Sequence, residues 1–216
     1  MKNRKSGVKT LFLSIIMSSP GPLVVGLALI QCKSSTQIAD FVRRTAEFLA
    51  IVISFFVFKL TVNKKYDTTK KICLEKKSNV FVGLLMCIAG LTMGIISLLV
   101  NKEDEGNVIP GLVIAVFSLI GNSIFWRKYN KLNKIEPNSI MKVQLRLYRA
   151  KTLVDASVTI TLTSILIIQN INITYWIDML GSLIVAGYLI WNGIRTIVEV
   201  IKSNRKNHSW FNTFST

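Results

Sequence analysis

The chain has 216 residues, half of them hydrophobic, and a formal net charge of +16. Its apolar residues come in long runs, which is typical of membrane proteins and excludes an ordinary soluble domain with short amphipathic stripes. The basic residues lie between these runs, and no nucleic-acid-binding motif is present, so we expect no nucleic-acid partner.

Six apolar runs of about 20 residues are each long enough to cross a bilayer as a helix. The predicted spans cover residues 8–31, 36–60, 79–100, 108–125, 142–168 and 175–201. In the first span, Pro20-Gly21-Pro22 should break the helix because proline lacks a backbone N–H. We predict an all-α membrane protein with a six-span transmembrane domain over residues 1–201 and a short basic cytoplasmic tail over 202–216.

Lysine and arginine are concentrated in the segments at one side of the predicted bundle. They cluster before the first span, in the second-to-third and fourth-to-fifth links, and after the sixth span. The remaining links carry only Lys33, only Lys102, or no basic residue. Because basic links stay on the cytoplasmic side, we predict cytoplasmic N and C termini in a multi-pass protein of the cell membrane, surrounded by lipid.

Predicted spans two and five carry charges inside their apolar runs. Arg43 and Glu47 lie on span two, and Lys151 and Asp155 lie on span five. Residues four apart share one helix face. A lone charge at the bilayer centre costs about 2.5–3.5 kcal/mol, so these side chains should face protein or a water-filled cavity. Since the two spans run in opposite directions, we expect Arg43 to meet Asp155 and Lys151 to meet Glu47 in a closed ring of alternating charge.

Two weaker patterns lie on neighbouring stretches. Steps of four from Asp155 reach Thr159 and Thr163, whose hydroxyls either line a pathway or bond back to helix carbonyls. On the third span, Gly90 and Gly94 form a Gly-x-x-x-Gly pattern that lets helices approach closely, which favours a homodimer through this face.

The order of spans resembles the transmembrane domain of the cation diffusion facilitator, or cation efflux, family. In the second half, the similar segments are Gly111, Ser118-Leu119-Ile120-Gly121-Asn122, Asn138-Ser139-Ile140 and Ile177-Asp178-Met179-Leu180-Gly181-Ser182; in the first half, the similar segment is Ile38-Ala39-Asp40. The resemblance implies a cation-efflux-like helical bundle working as a dimer. It also implies an antiporter that exchanges a divalent metal, commonly zinc, for protons between spans two and five.

The resemblance places the transport site at Arg43, Glu47, Lys151 and Asp155, with Asp40, Asn122, Thr159 and Asp178 as supporting polar residues. Each helix of the family's site usually carries a His or Asp followed four residues later by an Asp. Here cations stand at both first positions, Glu47 replaces an Asp, and only Asp155 matches. Arginine offers a metal no lone pair, and protonated lysine offers none either. We therefore expect no bound metal and no cofactor at this site.

The family's cytoplasmic metal-binding domain is also expected to be missing, because only residues 202–216 follow the last span. These features favour a secondary transporter, with Lys151 and Glu47 as the candidate proton-coupled pair and a small-ion substrate other than ordinary Zn²⁺. The alternative is a family member without transport that acts as a partner or regulatory membrane subunit. A basic membrane anchor would explain the loops but not the buried charges. No phosphate loop, nucleophile triad or metalloprotease helix is present, so we do not expect an enzyme.

Overall fold

The computed structural model of the chain describes residues 2–31, 35–62, 67–99, 109–135, 137–168 and 171–213. These described residues form helices and contain no strand. The helices are α1 Lys2–Ser18, α2 Pro20–Gln31, α3 Ser35–Val62, α4 Thr68–Leu99, α5 Ile109–Ile135, α6 Ser139–Ile168 and α7 Ile171–Thr213. The predicted all-α class is confirmed, and each predicted span overlaps one helix or, for the first, the pair α1 and α2.

Four segments of the described chain are long and apolar enough to cross a membrane. They are Ser6–Val24, Phe41–Val62, Thr68–Leu99 and Met179–Ser203. The first of these runs across the predicted break, where Ser19 forms a turn and Pro20 opens α2. Proline suits the first turn of a helix, because the backbone N–H it lacks would have no partner there. The cytoplasmic placement of both termini stays a prediction. The link with Lys102 between the third and fourth predicted spans, residues 102–107, lies outside the described residues.

Capping side chains mark the starts of α4 and α6. Asp67 precedes α4, accepts a hydrogen bond from the Thr69 hydroxyl, and accepts another at 2.7 Å from the Thr68 backbone N–H. These two bonds, that from Thr69 first, lower the pKa of Asp67 below its ordinary value. Asn138 caps α6 in the same way, accepting from the Ile140 N–H at 2.8 Å. Both helices therefore begin before the predicted spans do, and α5 and α7 likewise continue past the predicted ends.

The helices pack as two closely packed pairs, and contacts with the other helices connect these pairs. Helix α4 lies along α7, and α5 lies along α6; α3 contacts α4 and touches α6 more sparingly, while α1 packs against α3 and α5. Between α3 and α6, the Gln144 amide donates to the Ser54 hydroxyl at 2.7 Å. Two turns further along α6, Lys151 contacts Glu47. Residue numbers fall on α3 as they rise on α6, so these two helices are antiparallel, as predicted.

Glycines allow α4 and α7 to approach closely. A Cβ placed on Gly83 would lie 2.9 Å from the Gly193 carbonyl oxygen, and one placed on Gly90 would lie 2.9 Å from the Ala186 carbonyl oxygen. The predicted close approach is thus made within a single chain. Gly90 is buried against α7, so this part of the face is not presented to a second chain, and the homodimer stays a prediction.

We expect Gly90→Ala to destabilise the protein by about 1–3 kcal/mol, because the new methyl group meets backbone that cannot move independently. Gly94→Ala is the matched control on the same helix: its Cβ would lie 3.6 Å from the Ala186 Cβ, an ordinary contact. Thermal unfolding of both variants in detergent measures the difference. Equal unfolding temperatures would contradict the tight α4–α7 contact.

Candidate functional site

A carboxylate on α3 lies between two cations inside the bundle. The Lys151 Nζ is 3.6 Å from the Glu47 Oε2, and the Arg43 Nη1 is 3.4 Å from the Glu47 Oε1. The side chains of Arg43, Glu47 and Lys151 are only 11%, 6% and 11% exposed, so these charges interact in a poorly hydrated setting. The predicted contact between Lys151 and Glu47 is confirmed, and so is the pairing of Arg43 with Glu47 along α3.

The fourth charge, Asp155, has a partner on α5 that the predicted ring did not include. The Asp155 Oδ2 accepts a hydrogen bond at 2.6 Å from the Asn122 Nδ2 on α5. The predicted contact of Asp155 with Arg43, which would close the ring, stays a prediction. Helix α6 lies along α5 and also contacts α3, so Asp155, one turn beyond Lys151, comes within reach of Asn122.

Lys151 has further partners on α1 and on its own helix. Its Nζ donates to the Ser18 Oγ at 3.3 Å and lies 5.3 Å from the centre of the Tyr148 ring. The Ser18 Oγ in turn lies 3.4 Å from the Tyr148 hydroxyl. The ammonium group is therefore held by a carboxylate, a hydroxyl and an aromatic face, three kinds of group that stabilise a cation.

A line of hydroxyl groups continues from Lys151 toward the end of the bundle where α1 begins. We call Ser14, Ser18, Tyr129 and Tyr148 the hydroxyl column. Ser14 and Tyr129 share a hydrogen bond at 2.6 Å, and the rings of Tyr129 and Tyr148 stack with their centres 5.1 Å apart. Ser14 and both tyrosines are fully buried. Polar groups thus line the centre of an otherwise apolar bundle.

A second polar layer lies beside the hydroxyl column. Gln144 is fully buried, and its amide nitrogen donates to Ser54 and, at 3.4 Å, to the Ala50 carbonyl. Its Oε1 has no hydrogen-bond partner within the described part of the chain. A buried amide oxygen without a partner is costly, so this position is suited to hold water.

A cavity of about 270 Å³ lies at the far end of the same helices. Its lining includes Gly7 on α1, Thr61 on α3, Leu132 on α5 and Met141 on α6. Each of these four helices carries a polar side chain between the cavity and the ion pairs. This end of the bundle is the one that the basic residues predict to be cytoplasmic.

The remaining predicted site residues divide into two groups. Thr159 donates to the Asp155 carbonyl at 2.7 Å, and Thr163 donates to the Thr159 carbonyl at 2.7 Å, so both hydroxyls bond back to their own helix. Asp40 and Asp178 belong to α3 and α7, but their side chains lie outside the described part of the structure.

Sequence reasoning missed the contribution of α1. Ser14 and Ser18 lie four residues apart and therefore share a face, and Tyr129 follows Asn122 by seven residues on α5. These spacings were visible, but serine and tyrosine are common in membrane helices, and only the packing of α1 against α3 and α5 brings them to Lys151.

The cluster is poorly suited to hold a divalent metal. Arg43 and Lys151 donate rather than accept, and they occupy the space beside the carboxylates. Among the described residues, no three His, Cys, Asp or Glu side chains converge. What the cluster offers instead is one carboxylate bridging two cations, and one amine with a hydrogen-bonded connection to buried hydroxyl groups.

A protein-family model described as the cation efflux transmembrane domain matches residues 11–203. No curated protein matches the chain.

Proposed function

Since this chain belongs to the cation efflux family, we propose that it is a secondary transporter that exchanges protons for a monovalent cation at the Lys151–Glu47 pair. The observation that carries the proposal is the buried amine of Lys151, 3.6 Å from the Glu47 carboxylate. Ionisable groups inside a membrane domain are a functional signal by default, because burying them is costly. Lysine is also the cation that can release its proton, which arginine does not.

Zinc is a poor substrate for this site. A zinc ion takes about four nitrogen, sulfur or oxygen ligands in a tetrahedron. Glu47 and Asp155 supply carboxylate oxygens, but Arg43 and Lys151 are cations that repel a metal ion. Glu47 is already engaged by both of these cations, and Asp155 is engaged by Asn122.

Charge balance favours a monovalent ion. Arg43, Glu47, Lys151 and Asp155 together carry two carboxylates and two cations while Lys151 is protonated. Loss of the lysine proton leaves a net charge of −1, which one monovalent cation neutralises. A divalent cation would leave the site positive, which is unfavourable in a poorly hydrated interior.

The hydroxyl column and the cavity supply a route for this exchange. Hydroxyl and amide groups, and not only apolar side chains, lie between Lys151 and the cavity near Met141 and Thr61. The break at Ser19, between α1 and α2, lies one residue after the Ser18 contact to Lys151. Movement about this break would open or close the contact.

A second candidate is a non-transporting partner or regulatory subunit. The ion pairs favour it in one respect: Lys151 joins α6 to both α1 and α3, which would hold a single arrangement of the bundle. Transport measurements separate the two candidates.

We expect purified protein in liposomes to dissipate an imposed pH gradient when a monovalent cation is added, and Lys151→Met to reduce this rate at least about tenfold, because a methionine carries no proton. A pH-sensitive dye inside the liposomes reports the exchange for Na⁺, K⁺, Li⁺ and choline, with Zn²⁺ and Mn²⁺ for comparison. Lys134→Met is the matched control: it removes an equal charge at an exposed position near the end of α5.

Two results would contradict the proposed exchange. One is a rate for every monovalent cation no higher than that of protein-free liposomes, which would favour the non-transporting candidate. The other is Zn²⁺ exchange that Lys151→Met leaves unchanged.

A further inference from the structure

A group of cations surrounds one carboxylate on the outer face of α6 and α7, away from the site described above. We call Lys142, Arg146, Arg149 and Arg195 the basic face. Glu199 accepts from the Arg146 Nη2 at 2.5 Å, from the Lys142 Nζ at 2.9 Å and from the Arg195 Nε at 3.2 Å. One carboxylate is thus shared by three cations, and a surplus of positive charge remains.

Arg149 adds to this surplus. Within the part of the chain that the structure describes, its guanidinium lies against two rings and forms no ion pair: it is 6.0 Å from the Trp126 ring and 5.8 Å from the Tyr188 ring. Arg149 is nevertheless exposed on the outside of the bundle. Aromatic faces stabilise a cation, but they do not neutralise its charge.

The surroundings of the basic face are those of a membrane boundary. On α7, Trp191 and Ile194 are 67% and 51% exposed, so the surface beside Arg195 is apolar and suited to lipid. Lys142 and Arg149 are seven residues apart on α6, which places their backbones about 10 Å apart along the helix axis. The cations therefore extend from the end of the predicted span inward, over a depth comparable with a headgroup region. An unneutralised guanidinium at such a depth is unfavourable unless an anion meets it.

We infer that the basic face binds the headgroup phosphate of an anionic phospholipid, in the leaflet predicted to be cytoplasmic. Arginine presents paired N–H donors that match phosphate oxygens, and Arg149 is held in place for this by the two rings. Side-chain exposures of 50% for Lys142 and 58% for Arg195 leave both within reach of a headgroup. Glu199 is already surrounded by three cations, so it is poorly placed to attract the amine of a zwitterionic lipid. The surplus charge therefore selects a headgroup with net negative charge.

The test uses the full chain in detergent, delipidated and then titrated with phosphatidylglycerol. Lipid binding is followed by native mass spectrometry and by the thermal unfolding midpoint. We expect Arg149→Gln/Arg195→Gln to weaken phosphatidylglycerol binding roughly 10- to 30-fold, in line with the contribution of two basic residues near an anionic surface. Lys131→Gln/Lys134→Gln removes the same charge from exposed positions on α5 and should change binding by less than about threefold. Arg149→Lys keeps the charge but loses the planar donor pair, and should weaken binding several-fold without unfolding the protein.

Three outcomes would overturn the inference. Equal losses in the two double variants would show general attraction to charge rather than a site. Equal binding of phosphatidylcholine would exclude selection for an anionic headgroup. Stabilisation by inorganic phosphate equal to that by phosphatidylglycerol would assign the face to a small soluble anion.

Discussion

The triple variant Arg43→His/Glu47→Asp/Lys151→His is expected to bind Zn²⁺ at least about 100-fold more tightly than the wild-type protein. The substitutions remove both cations and supply two imidazoles, which join two carboxylates to give four nitrogen and oxygen ligands. The Lys151 Nζ lies 3.6 Å from the Glu47 Oε2 on the facing helix, so the helices already bring these positions together. Calorimetric titration of purified protein in detergent measures the change.

A fourth substitution provides the control for this gain. Adding Asp155→Asn to the triple variant removes one anionic ligand, and should remove most of the gained affinity while leaving the other three ligands in place. If the wild-type protein itself binds Zn²⁺ as tightly as the triple variant, Arg43 and Lys151 do not exclude the metal, and the case against zinc as substrate fails.

Glu47→Gln is expected to destabilise the protein by about 3–5 kcal/mol, the usual cost of removing one member of a buried ion pair. Glu47 accepts from both Arg43 and Lys151, and its side chain is only 6% exposed. With a neutral amide in its place, Lys151 keeps its charge in the bundle but loses its carboxylate. Reversible unfolding in mixed micelles gives the free energy of unfolding.

Two companion variants separate this effect from general disruption. Asp155→Asn should cost only about 1 kcal/mol, because Asn122 can hydrogen-bond an amide nearly as well as a carboxylate. Glu47→Gln/Lys151→Met removes both members of the pair and should recover most of the stability lost in the single variant. Equal losses in Glu47→Gln and Asp155→Asn would contradict the central position of Glu47.

The Lys151 side chain connects the stability of the protein with its proposed function. The contacts of Lys151 with Glu47 and Ser18 hold three helices together, so an exchange cycle that releases the lysine proton must also weaken those contacts. Removing the Lys151 side chain alone can therefore both lower stability and abolish exchange. Measuring both on Lys151→Met alone and combined with Glu47→Gln would show whether the two effects separate.

Several features followed from local residue order alone. Long apolar runs predicted the helices, Pro20 predicted the break between α1 and α2, and the four-residue spacing predicted that Arg43 and Glu47 would pair. The helix ends were less predictable, because hydropathy reports where the membrane is expected to lie, whereas Asp67 and Asn138 fix helix starts by capping. The pairing of Lys151 with Glu47 was predicted because α3 and α6 had to neutralise charges that lipid cannot accommodate.

The sequence by itself determined that this is a helical membrane protein of the cation efflux family and that charges on α3 and α6 meet within it. Only the tertiary structure decided that Asp155 accepts a hydrogen bond from Asn122, that α1 brings Ser18 to Lys151, and that Gly90 packs against α7 of its own chain. The physical reason is that spacing along one helix fixes which residues share a face, but the depth and angle at which helices cross decide which neighbour that face meets. Those crossings depend on side-chain packing summed over several helices, which no single stretch of sequence contains.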